Sequence, residues 1–420
     1  MADVQPLRAL HYDLAKVGSL DAVAAPPYDV IDPEQRAELA ARSPYNVVGV
    51  DLPVAGESGD MYAEAARLLA LWQADGAVVR DASPALWTLT QEYFDPAHPS
   101  GRALTRRGVF ARVRVEDYGP GRIRPHERTH PGPKQDRLNL TRATRANLSP
   151  IFSLYDDAGD ATAAIFAAAA PVGDQTDDDG TVNHLGRVAD PEAIAAFHDA
   201  LDGVELLIAD GHHRYETARV YADEVGGEGE HRYVLMCLVA LQDPGLTVFP
   251  THRLLRDTTS DVQVAGGKRI RELFDFEPIE QSELAPAAGE GPLTMGYIDS
   301  FHRQAYRLVL KDQAIADEAL AGMPEAYRRL DTAVLETLLI TGPFGLTEDD
   351  ISHLRGMGYS RTDEEALSMV LDGDFDLAFF LRPTPVQQVR DIAAAGVNMP
   401  PKSTFFYPKV PTGLLFNPLL

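Results

Sequence analysis

The sequence predicts a mixed α+β protein with more than one domain. Short apolar runs at residues 85–93, 107–115, 151–155 and 233–241 have the length and composition of strands. Between them lie segments with apolar residues at helical spacing and clear start or stop signals, such as Met61–Ala74, which ends at Gly76. The chain has 420 residues, 45% hydrophobic and 24% charged, which is enough for two or three separate cores.

Residues 1–30 are apolar and end in Pro26-Pro27-Tyr28-Asp29-Val30-Ile31, where the prolines force an extended path. Asp32-Pro33 then opens a helix to about Arg42. Residues 47–50 look like a short strand, and 85–93 with 107–115 like a hairpin or meander. A helix is expected over 133–147, before Ser149-Pro150. Residues 156–180 combine an alanine-rich helix with an acidic tract, Asp174 to Asp179. The tract lacks the spacing of a calcium loop and reads as a solvated turn. A strand at 183–188 and a helix at 191–201 follow. The link at 257–292, rich in Pro, Ala, Gly and Glu, is the expected boundary. This gives a core domain over 1–256, a linker at 257–292, and a C-terminal α/β subdomain over 293–420 packed on the core. That subdomain has strands at 293–298, 305–310 and 375–381 and helices near 332–339, 364–371 and 385–395.

The formal charge of −25 works against nucleic acid, which needs a basic face. No apolar run of about 18 residues is present, so no membrane helix is expected. The N-terminus has no secretory pattern. The single cysteine, Cys237, lies in an apolar run and reads as a core residue. These features predict a cytoplasmic protein.

The richest chemistry lies in Val204-Glu205-Leu206-Leu207-Ile208-Ala209-Asp210-Gly211-His212-His213-Arg214-Tyr215-Glu216. An apolar run is broken by Asp-Gly and followed by a helical pattern. A helix start presents free N–H groups and a positive dipole end, which suits an anion. An arginine fork suits phosphate, and histidine can donate or shuttle a proton. The competing reading is an ordinary charged loop. Both histidines on one metal ion would be awkward, because adjacent helical residues point about 100° apart.

His126-Glu127-Arg128-Thr129-His130 matches a zinc-protease string but not its structure. That chemistry needs both histidines on one helix, and Pro131 directly after His130 prevents it. What remains is a polar loop with Lys134, Asp136 and Arg137. Lys134 and Arg137 are placed to approach phosphates. Glu127 or Asp136 could hold a metal or act as base. The plainer alternative is i,i+3 pairing around Asp136 on a solvated helix start. His252 follows a strand and is either a substrate contact or a satisfied polar residue.

Asp210-Gly211-His212-His213-Arg214-Tyr215-Glu216-Thr217-Ala218 resembles the hallmark of the bacterial and archaeal domain of unknown function 1015 family. So do Pro26 to Ile31, His126-Glu127 with Lys134, Asp136 and Arg137, Ser149-Pro150-Ile151-Phe152, and Met399-Pro400-Pro401-Lys402-Ser403-Thr404. Members are described as similar to ParB/SpoOJ, and Gly211-His212-His213-Arg214 resembles the phosphate turn of the ParB–sulfiredoxin fold, to which archaeal free serine kinases also belong. The resemblance implies a ParB/sulfiredoxin-like nucleotide-binding core with a helical and mixed-sheet C-terminal region. It implies phosphoryl transfer between a nucleoside di- or triphosphate, with Mg²⁺, and serine or a similar small hydroxy metabolite. Gly211, His212, His213, Arg214, Lys134 and Arg137 are then the phosphate-binding residues. Glu127, Asp136, Asp210 and His213 are the catalytic candidates, with Glu127 and Asp136 as metal candidates. Tyr28, Asp29, His126 and His252 are the substrate contacts. A phosphoserine-type phosphatase and a non-enzymatic nucleotide-gated binding module are the alternatives. The expected partners are a small-molecule substrate and a second copy of the chain, without nucleic acid or membrane.

Overall fold

The computed structural model describes residues 2–56, 59–95, 101–129, 131–289 and 291–420, and its fold is mixed α/β. The chain forms two units. One contains residues 1–125, 129–246 and 408–420, and the other 126–128 and 247–407.

The first unit is built on a nine-stranded sheet. Its strands are β1 (Val4–Gln5), β2 (Leu86–Phe94), β3 (Ala103–Arg114), β4 (Ile123–Arg124), β5 (Ile151–Tyr155), β6 (Ala170–Thr176), β7 (Val182–Val188), β8 (Leu206–Asp210) and β9 (Tyr233–Ala240). They lie in the order β4-β8-β5-β9-β3-β2-β7-β6, with β1 added antiparallel to β3. β8 runs parallel to β4 and antiparallel to β5, and β5 runs parallel to β9. The unbroken apolar run of β9 has its cause here. Every residue after Tyr233 is buried, as a strand covered on both faces requires. Cys237 is one of them. Burial pushes its thiol up to about 12, so it behaves as a packing residue; it pairs with Phe110, and its sulfur fills the space that a Cβ at Gly108 would need.

The helices that matter for the site are α1 (Pro33–Arg42), α2 (Met61–Ala74), α3 (Pro131–Thr144) and α4 (His212–Val225). Asp32 caps α1 by accepting from the N–H groups of Glu34 and Gln35, with Pro33 at the first position. Tyr215 and Ala218 of α4 join Ile151, Phe197, Ile208 and Met236 in the main core.

Some elements differ from expectation. Residues 48–51 form a helical turn, not a strand. The buried Asn46 decides this: its side chain accepts from Val48 N–H and donates to Ala22 O, which outweighs the β preference of the valines. α3 stops at Thr144 because Arg145 takes a left-handed conformation, and residues 146–147 then pair with 417–418. The acidic tract is partly strand, since Asp174 lies in β6, and the turn at Asp177–Gly180 joins β6 to β7.

The second unit holds a six-stranded sheet of β10 (His252–Leu255), β11 (Phe274–Ile279), β12 (Thr294–Asp299), β13 (Ala305–Leu310), β14 (Met357–Ser360) and β15 (Leu377–Phe380). The order is β11-β13-β12-β15-β10-β14, with every neighbouring pair antiparallel. One face packs Leu254, Ile298, Ala378 and Phe380 against Ala366 and Val370 of the helix α6 (Asp363–Leu371), whose counterpart α5 spans Ser260–Leu273. Residues 257–292, expected as a link, carry α5 and β11. β11 is an edge strand with Asp275 to Pro278 exposed, so it reads as loop, and an edge is where proline is tolerated.

Gly245 gives a test of the first unit. A Cβ there would lie 2.2 Å from Thr105 O, and Gly245 O accepts from the Tyr93 hydroxyl at 2.9 Å. Gly245→Ala is expected to cost about 1–3 kcal/mol, read as a lower urea midpoint with an unchanged slope.

Candidate phosphate site in the first unit

The site begins where β8 ends. Leu206 to Ala209 are buried, and Asp210 is the first polar side chain at the strand's end. Gly211 turns the chain with φ +98°, a conformation that favours glycine. A Cβ there would also press on the Arg214 guanidinium at 3.0 Å. α4 starts at once, and Tyr215 N–H to Gly211 O, 3.0 Å, closes its first turn. Gly211, at the N-cap position, has no side chain with which to cap the helix. The first N–H groups of α4 have no acceptor within the helix and carry the positive end of its dipole.

Asp210 binds two cations. Lys409 donates to one oxygen at 2.9 Å and Arg214 to the other at 2.6 Å. Burial works to raise this carboxyl, but Lys409 and Arg214, with His212 nearby, outweigh it and hold it well below the ordinary carboxylate range. Arg214 also donates to Pro150 O, and its Nε–H is buried without a hydrogen-bond partner among the described residues.

A second arginine stands close by. Arg137 is 6% exposed. It donates to the Asp51 carboxylate at 3.1 Å, to Asp51 O at 2.8 Å and to Asp136 at 2.8 Å. Ser149 donates to the other oxygen of Asp51, and Tyr62 to Asp136. Tyr28 ties the two arginines together. Arg137 lies 4.1 Å from its ring centroid and Arg214 5.9 Å. Burial pushes the Tyr28 phenol up to about 12, so it stays neutral. Tyr28, Arg137 and Arg214 line a cavity of about 40 Å³ with Asp51, Ser149 and Thr217. That is room for about one water molecule, so a larger ligand belongs on the exposed side of the helix start.

The structure thus brings together Tyr28, Asp29, Asp136, Arg137, Asp210, Gly211, His212 and Arg214. His212 is buried and His213 half-buried on the first turn of α4. Asp29 is exposed, and its charge acts on both Tyr28 and Arg214. It makes no hydrogen bond among the described residues. Lys134, half-buried one turn before Arg137, likewise forms no ion pair among them.

Three expected residues lie in the other unit. His126 is fully buried and bonds Thr404 at 2.9 Å, and Glu127 beside it is half-buried. His252 cannot serve as the expected substrate contact. It is fully buried, accepts from Leu381 N–H at Nδ1 and meets Asp363 through Nε2. His130 lies outside the described residues. Among the described residues no three His, Cys, Asp or Glu side chains gather as metal ligands, and no helix is long and apolar enough to cross a membrane.

Sequence reasoning missed Asp51, Ser149 and Lys409 as site residues. Ser149 lay in a recognised block without an assigned role. Nothing local could have placed Lys409, which is 199 residues from its partner.

The family described as "Protein of unknown function (DUF1015)" matches residues 4–333. The chain belongs to this family. Among solved structures, it is similar to a conserved hypothetical protein from Pyrococcus furiosus at 13% identity, covering 73% of this chain and 93% of that one with TM-score 0.36. A free serine kinase in complex with AMP is similar at 12% identity, with coverages of 71% and 86% and TM-score 0.37. A C-terminally truncated SbnI from Staphylococcus aureus is similar at 10% identity, with coverages of 72% and 84% and TM-score 0.36. No curated protein sequence matches.

The lowered Asp210 carboxyl makes stability depend on pH. A carboxyl depressed by folding contributes stability that is fully present above its unfolded value, about 3.9, and is lost as pH falls towards the folded one. Asp210→Asn leaves Lys409 and Arg214 uncompensated, and is expected to cost about 3 kcal/mol at pH 7. The gap to the parent protein should narrow below about pH 4, measured by denaturant titration across pH.

Proposed function

We propose that the protein is a nucleotide-dependent phosphotransferase acting on serine or a similar small hydroxy metabolite, with the first turn of α4 as its phosphate seat. The observation that carries this is a fourteen-residue helix that starts on a left-handed glycine directly after a carboxylate paired with Arg214 and Lys409. The N–H groups and dipole end of such a start are the sequence-independent chemistry of phosphate binding.

Roles follow from what each side chain already does. Asp210, Arg214, Lys409, Asp51 and Arg137 bind one another, so they hold the turn and Tyr28 in place. Asp136 has one oxygen on Tyr62 and the other on Arg137, which leaves it poorly suited to accept a proton. Asp29 is exposed and makes no hydrogen bond among the described residues. It is the carboxylate assigned to take the acceptor's hydroxyl proton as that oxygen bonds to the transferred phosphorus and the shortened nucleotide leaves. Lys134 neutralises charge on the phosphates. A Mg²⁺ that keeps several waters would arrive on the nucleotide and would supply charge screening on the phosphoryl oxygens, which leaves Asp29 free to act as the base.

The test follows ³¹P signals of ATP or ADP incubated with L-serine. Asp29→Asn is expected to lower kcat about 10²- to 10⁴-fold while nucleotide affinity stays within a few-fold. Turnover by Asp29→Asn at the parent rate would rule out this assignment. Phosphate release from phosphoserine without nucleotide would replace the kinase reading with a phosphatase.

At the turn itself, Gly211→Ala strains a left-handed position and displaces Arg214. It is expected to weaken nucleotide binding about tenfold or more, roughly 1.4 kcal/mol, measured by calorimetry.

A further inference from the structure

A cavity of about 470 Å³ lies in the second unit, between α5 and the face of the sheet that α6 does not cover. That size is within the range of small-ligand sites. The sheet wall follows from strand register. Tyr297 pairs with Tyr306, and Phe276 with Leu308 beside them, so their side chains share one face. Tyr306 and Phe276 meet edge to face at 6.1 Å. Phe301, at the mouth, is 84% exposed, and Phe276 and Val264 are also exposed. Exposed aromatic surface beside a concavity marks a place where something binds.

The helix wall carries the more telling feature. α5 has two glycines in its interior, Gly266 and Gly267, where glycine is the most costly residue after proline. Gly266 is explained by packing, because a Cβ there would lie 2.5 Å from the Phe344 ring. Gly267 lines the cavity, and the atoms closest to a Cβ there belong to the Arg271 guanidinium, from 3.6 Å. Arg271, one turn on, therefore lies back along the helix over Gly267 and lines the cavity. The Arg271 guanidinium makes no hydrogen bond or ion pair among the described residues. The nearby acid Glu272 pairs with Arg269 and Lys268 instead. Asp299, on the opposite wall, has its charge met by the Phe301 and His302 N–H groups, the His302 ring and the Tyr297 hydroxyl.

We propose that this cavity binds a small aromatic anion, its ring against Phe276, Tyr297 and Tyr306 and its carboxylate or phosphate on the Arg271 fork over Gly267. An aromatic wall supplies contact area, and an unpaired guanidinium supplies a planar, two-pronged anion contact. The site is independent of the helix start in the first unit.

The test is calorimetry on the full chain with benzoate, phenyl phosphate and benzyl alcohol. Benzoate or phenyl phosphate should bind at least tenfold more tightly than the neutral alcohol, and whichever anion wins identifies the head group. Arg271→Ala should weaken that binding at least tenfold, with Arg271→Lys in between. Failure of both anions to bind at millimolar concentration overturns the proposal, as does equal binding of the alcohol. Unchanged affinity in Arg271→Ala also overturns it.

Discussion

Asp210 is the hinge pin of the first unit, a single carboxylate that takes a cation on each oxygen at the point where a buried strand becomes a helix. Taking such a group out of water is costly unless both lone-pair faces are satisfied. Lys409 and Arg214 meet that demand from opposite directions, one from the far end of the chain and one from the next helical turn. Because Arg214 is drawn back towards the strand, it also reaches Pro150 O and the Tyr28 ring. The position of Tyr28, and through it that of Arg137, follows from where Asp210 sits.

The same pairing shapes the local field. The chain as a whole repels anions. Around the turn, however, Asp51, Asp136 and Asp210 are each balanced by Arg137, Arg214 or Lys409. The dipole end of α4 is thus left as a positive feature beside charges that cancel in pairs. Buried pairs of this kind contribute little net stability, and their value here is geometric.

Local patterns were the legible part of this protein. The strand–turn–helix at residues 206–225 could be read because an apolar run, Asp-Gly and a helical period lie next to each other. The helix after Asp32 could be read from its cap and proline. The strand expected at Val47 failed because the decision belongs to Asn46, whose side-chain bonds reach residues 22–24. The polar stretch at 126–137 reads as one cluster in sequence, and the fold divides it: 126–128 belong to the second unit, Asp136 and Arg137 to the first. His252 could be read as a substrate contact or as a satisfied polar residue, and the partners that satisfy it, Asp363 and Leu381, are more than a hundred residues away.

The pairing of Asp210 with Lys409 also sets an order in time. The first unit is interrupted by residues 247–407, so during synthesis its turn is made long before the lysine that neutralises it. At ordinary ribosomal speeds the 199 residues between them take on the order of ten to forty seconds. Through that interval Asp210 has Arg214 but lacks Lys409, and the closing segment 408–420 is absent from the fold. A nascent first unit therefore waits in an incomplete, charge-unbalanced form while the second unit is made, which is the period in which a chaperone would find its exposed surface.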